Sequence, residues 1–114
     1  HYAATAMEGQ LCHGEEAIVV GGGNSAGQAA VFLSRIARHV HILVRGPGLS
    51  ATMSSYLINR IDASRRITLH TGCEVTGVEG DRTLGHVSWT CRDDGKVTRI
   101  PCGNLFVMIG AVPN

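Results

Sequence analysis

A parallel α/β sheet with flanking helices, joined to a three-stranded antiparallel β-meander, is the architecture predicted by this sequence of 114 residues. Three observations predict it. Ala17-Ile18-Val19-Val20 and Leu105-Phe106-Val107-Met108-Ile109 are unbroken apolar runs, as strands buried on both faces require. Ala26, Ala29, Ala30, Leu33, Ile36 and Ala37 recur at helical spacing directly after the first run. Beyond His70 the pattern changes to alternation over 74–80, 85–92 and 97–101, the period of strands with one solvated face.

Taken in order, residues 1–14 form a polar lead-in without a clear period, and with no initiating methionine the chain is expected to be a piece of something longer. The first apolar run is a central strand that stops at three glycines. An amphipathic helix of about three to four turns follows from Asn24. His39 to Val44 is a second strand, with Val40, Ile42 and Val44 on one face and His41 and Leu43 on the other. Gly46-Pro47-Gly48 breaks the chain, and Ser50 or Thr52 is placed to cap a second helix through Met53, Tyr56, Leu57, Ile58 and Ile61. Ile67 to His70 is a short third strand. Turns at 80–83 and 93–96 separate the strands of the meander, and the run from Leu105 returns to the sheet as a last central strand.

The composition narrows the function. A single domain of this size, 44% hydrophobic and with a net charge of +1, offers no broad field for nucleic acid or an anionic membrane, so neither is expected as a partner. No apolar run reaches the roughly 18 residues of a membrane span and no signal peptide is recognisable, which makes the cytoplasm the expected setting. Cys12, Cys73, Cys91 and Cys102 form no Cys-x-x-Cys pair and read as buried thiols rather than as zinc ligands or a disulfide framework. The six histidines show no metal spacing, so no metal is expected, and no set of catalytic side chains is present. His41 and Trp89 read as packing residues. Met53 and Tyr56 read the same way from their helical spacing, although both could flank a ligand from the second helix.

The chemistry lies in the turn. Gly21, Gly23 and Ala26 give the Gly-x-Gly-x-x-Ala fingerprint of a Rossmann-like dinucleotide site, after a buried strand and at a helix start. Gly21 permits the tight turn, Gly22 and Gly23 let the backbone approach a diphosphate, and Ala26 keeps helix and strand close. The helix N-terminus supplies N–H groups and about half a positive charge. Asn24 and Ser25 can add side-chain hydrogen bonds. An adenosine ligand such as S-adenosylmethionine is the other occupant of such a turn. The second strand ends at Val44-Arg45, with no Asp or Glu between Arg38 and Tyr56, so a ribose carboxylate is missing and Arg45, assisted by Ser50, is available for a ribose phosphate. NADPH is thereby favoured, with NADH as the second candidate.

These motifs resemble the NADPH domain of the thioredoxin reductase-like flavoproteins over nearly the whole chain. Residues 18–26 resemble that family's nucleotide turn, 40–45 its second strand, and 105–114, with Ile109 and Gly110 beside the cofactor, its return to the flavin domain. The resemblance implies that residues 1–114 are an NAD(P)H-binding domain inserted in a longer FAD-containing chain, one that admits a homodimer. Hydride would pass from nicotinamide to a flavin held elsewhere in the same chain. The family's Cys-x-x-Cys is replaced here by Ala4-Thr5-Ala6-Met7, and its arginine pair is thinned to Arg45-Gly46 with Ser50 in place of a third arginine. The parent is therefore expected to be a relative that delivers electrons by another route, of a subgroup fused to regulatory or ligand-binding domains. A nucleotide-sensing module without turnover is the competing reading.

Overall fold

The structure, a computed structural model, describes residues 15–46, 53–80, 84–102 and 104–108. Its elements are β1 (Glu16–Val20), α1 (Asn24–Leu33), β2 (His39–Val44), α2 (Ser55–Ala63), β3 (Ile67–Thr71), β4 (Cys73–Gly80), β5 (Leu84–Cys91), β6 (Val97–Pro101) and β7 (Leu105–Val107). The four parallel strands run in the order β3-β2-β1-β7, and the meander in the order β4-β5-β6. The predicted α/β class and the change of period after His70 are both present. β7 closes the sheet as an edge strand instead of the expected central one, because among the described residues it pairs only with β1.

Strand parity sorts the residues into three layers. Ala17, Val19, Val40, Ile42, Val44 and Ile67 face the helices and pack with Ala26, Ala29, Ala30, Leu33, Leu57 and Ile61. Ile18, Leu43 and Leu105 point the other way and meet Val87, Trp89, Cys73 and Cys102 of the meander side. Trp89 is 2% exposed, in agreement with its core reading. The sheet is thus covered on both faces, which is why its strands carry unbroken apolar runs.

Local chemistry moves the helix ends from their expected places. α1 stops at Leu33 and passes through a tighter turn, with Arg35 N–H donating to the Phe32 carbonyl and Ile36 N–H to that of Leu33. The helical spacing of Ile36 and Ala37 therefore persists in packing though not in α-helix. α2 is capped by Ser54, whose hydroxyl accepts the Leu57 N–H at 3.3 Å, and not by Ser50 or Thr52, which lie outside the described residues. Ser54 wins because Met53 must be buried against α1: a Cβ on Gly27 would sit 2.8 Å from the Met53 sulfur. Tyr56 is 64% exposed, so the helical spacing that placed it in the core misassigned it.

The cysteines also depart from expectation. Cys73 and Cys91, taken from sequence as thiols, are paired across β4 and β5 as a disulfide with Cα atoms 4.0 Å apart. Sequence distance hid the pairing, since the meander brings residues 18 apart directly opposite one another. Cys102 is a buried thiol as expected, with burial pushing its pKa up to about 11. Cys12 lies outside the described residues.

The histidines are less scattered than the sequence indicates. His41 Nδ1 lies 3.1 Å from His70 Nε2, His41 Nε2 lies 2.9 Å from Glu16 Oε1, and His39 Nε2 lies 2.6 Å from the Thr68 hydroxyl. His41 and His70 stack on one another and both lie tilted against Trp89, in the layer between sheet and meander, consistent with the packing role expected for His41. No group of three or more metal-ligating side chains is arranged to hold an ion among the described residues. Burial, then the neighbouring His41 and His39, depress the His70 pKa to about 4. His39 is lowered by burial and then by His41. Burial raises the Glu16 carboxyl, but hydrogen bonds and charge from His41 and Arg38 outweigh it and leave it lowered.

Two measurements follow from this packing. A Cβ on Gly21, where φ is +141°, would lie 2.6 Å from the Met108 carbonyl oxygen, whereas the obstacle at Gly27 is a flexible methionine tip. Gly21→Ala should lower unfolding free energy by about 2–4 kcal/mol in denaturant titrations, and Gly27→Ala should stay within about 1 kcal/mol of wild type. The second concerns acid. As pH falls from about 6.5 to 4, the unfolded chain protonates His70 while the folded chain does not, so stability declines across that window. His70→Gln should make the decline shallower by about 1 kcal/mol, discounted from the full shift because the ring is only half-buried.

Candidate functional site

The glycine turn is held by three strands at once. Gly21 N–H donates to the Leu43 carbonyl at 3.0 Å, and Met108 N–H donates to the Val20 carbonyl at 2.8 Å. The end of β1 is therefore pinned between β2 and the residue after β7. The positive φ of Gly21 turns the chain sharply out of the sheet, and Ala26, fully buried, fits 3.4 Å from where a Gly21 Cβ would be. Both roles assigned to these residues from sequence are thus borne by packing.

Gly23 is the N-cap of α1, in extended conformation and without a side-chain cap. The first helical hydrogen bond runs from Gly27 N–H to the Gly23 carbonyl at 3.1 Å. The N–H groups of the first turn consequently lie outside the i→i−4 ladder, at the positive end of the helix dipole. The first turn holds no acidic residue that would occupy them. Gly22 stands between, partly exposed. A turn with no side chains over 21–23, no cap and no acid fits a diphosphate.

Asn24 and Ser25 are exposed at the mouth of the turn. Asn24 Oδ1 accepts the Ser54 N–H at 2.8 Å, which ties the start of α1 to the cap of α2, a structural duty the sequence did not reveal. Val44 is 6% exposed and faces the helices, so it packs beneath the strand's end. Arg45, which follows it, is 78% exposed. Ser50, Ile109 and Gly110 lie outside the described residues.

Arg45 does have a neighbouring carboxylate. Its Nε lies 3.4 Å from Glu74 Oε1, which β4 delivers from the meander. Gly72 N–H donates to the Gly46 carbonyl at 2.9 Å, Arg92 N–H donates to the Gly72 carbonyl at 2.8 Å, and the Arg92 guanidinium donates to the Arg45 carbonyl. Glu74 and Arg92 lie far beyond the end of β2 in sequence, so neither is signalled by the residues around Arg45. Only the fold, which returns the chain from β3 to the end of β2, brings them together.

Comparison with known proteins agrees with this architecture. A family model described as pyridine nucleotide-disulphide oxidoreductase matches residues 2–114. An NADH dehydrogenase of Ferdinandcohnia aciditolerans is 34% identical over 107 residues, covering 94% of this chain and 20% of that protein. A thioredoxin reductase of Mycolicibacterium smegmatis is 33% identical over 106 residues, covering 93% of this chain and 33% of that protein. The crystal structure of T. acidophilum thioredoxin reductase superposes with a TM-score of 0.84 at 26% identity, over 98% of this chain and 36% of that one. The chain thus spans a fifth to a third of the length of the relatives it matches. With sheet, meander and glycine turn all matched over almost its full length, this chain belongs to the pyridine nucleotide-disulphide oxidoreductase family.

Proposed function

We propose that this chain is the NAD(P)H-binding domain of a longer FAD-dependent oxidoreductase, and that it positions the nicotinamide for hydride transfer to a flavin held by another part of the same protein. The observation that carries the reading is the side-chain-free turn at Gly21–Gly23, clamped by β2 and β7 and opening into the uncapped α1. A dinucleotide bound there would supply the hydride chemistry. The turn's backbone N–H groups would hold the diphosphate, Asn24 and Ser25 would border it, and Arg45 would meet the adenosine ribose beyond Val44. Ser50, Ile109 and Gly110 are proposed from the sequence as further contacts of the dinucleotide. None of these side chains is an acid, base or nucleophile of a reaction, so the chain's work is to bind and orient.

Relatives named as NADH dehydrogenase and as thioredoxin reductase support the redox assignment and leave both nucleotides in view. The thioredoxin-type dithiol has no counterpart in the sequence, where residues 4–7 read Ala-Thr-Ala-Met, so the parent's electron acceptor would be served by another route. Among the described residues no helix is long and apolar enough to cross a membrane.

Calorimetric titration tests the reading. The chain should bind NADPH and NADH, and Arg45→Ala should weaken NADPH by about 1.5–3 kcal/mol while leaving NADH nearly unchanged. Failure to bind either nucleotide would overturn the proposal. The full-length protein should also carry a flavin whose absorbance bleaches on adding NAD(P)H; a colourless protein that still binds nucleotide would instead make the domain a sensor.

A further inference from the structure

The end of β2 carries more than the arginine expected of it. Arg45 and Glu74 form an ion pair at 3.4 Å in which the residues are 78% and 56% exposed, so both groups remain open to a ligand. Glu74 is held in place from both sides. It follows Cys73, which is bonded to Cys91, and Cys91 precedes Arg92, whose side chain and N–H reach the Arg45 carbonyl and the Gly72 carbonyl. The backbone at Glu74 is therefore fixed relative to β2 by a disulfide and a set of backbone hydrogen bonds, which keeps its side chain within reach of Arg45.

Resting on the dinucleotide reading above, we propose that Glu74 is a specificity-determining residue of this site: a carboxylate supplied by the meander that opposes a ribose 2′-phosphate and so lets NADH compete with NADPH. A ribose phosphate carries close to two negative charges near neutral pH. At the Arg45 guanidinium it must share one cation with a carboxylate already on the Nε edge. Two anions on opposite edges of one guanidinium stand roughly 6 Å apart, and in an exposed, salt-screened site their repulsion is worth about a three- to tenfold loss of affinity. A ribose hydroxyl meets no such penalty, because the carboxylate is an acceptor for it. Arg92 offers the phosphate only partial compensation, since its guanidinium already donates to the Arg45 carbonyl.

The experiment is a calorimetric comparison in the full chain of NADPH, NADH and the fragments 2′,5′-ADP and 5′-AMP, for wild type, Glu74→Gln and Glu74→Lys. The fragments isolate the ribose end from the nicotinamide end. Glu74→Gln should tighten NADPH and 2′,5′-ADP about three- to tenfold and change NADH and 5′-AMP by less than twofold or weaken them. Glu74→Lys should exceed that gain, and raising the salt should shrink both gains. Wild type that binds NADPH and NADH, with a preference that neither variant moves, overturns this inference alone. Wild type that binds neither dinucleotide overturns the dinucleotide reading and this inference with it.

Discussion

The clamp on the end of β1 is the constraint on which the rest of the molecule depends. Val20 and Gly21 hydrogen-bond to opposite neighbours, Met108 on one side and Leu43 on the other, and a side chain at Gly21 would collide with the Met108 carbonyl. Because backbone occupies both flanks, the chain has only one way out of the sheet. It turns into α1 with its first N–H groups facing outward, and the ligand site is a by-product of how a parallel strand must end.

The same clamp explains what could be read from the sequence. The two long apolar runs and the three glycines encode β1, β7 and the turn locally, so the architecture and the place of the turn were both legible. Strand parity gave the faces of β2 correctly, because period 2 admits no alternative once one face is apolar. Helix ends were less legible. Ser50, Thr52 and Ser54 are all competent caps, and the choice among them was made by Met53 packing on Gly27, a contact between separate elements.

What stayed hidden were the contacts between residues distant in sequence, within the sheet, within the meander and between the two. Cys73 and Cys91, Glu74 and Arg45, and His41 and His70 are each pairs separated by 18 residues or more, joined by a topology that local patterns do not specify. The polar layer of Glu16, His39, His41 and His70 illustrates the physical reason. His39 and His70 look like ordinary strand residues by themselves, and only burial in the folded layer lowers their proton affinity.

The division between the two ends of the site has an evolutionary consequence. The glycine turn proposed to hold the diphosphate is made of main chain and tolerates almost no change at Gly21 without cost to the fold. The ribose end is an exposed pair of side chains contributed by different layers, and exposed ion pairs contribute at most about 1 kcal/mol to stability. On the proposed reading of this site, nucleotide preference would drift within a lineage by single substitutions at positions 45 and 74 while the scaffold is left untouched, so relatives with the same turn and the same fold would diverge in the coenzyme pool they draw upon.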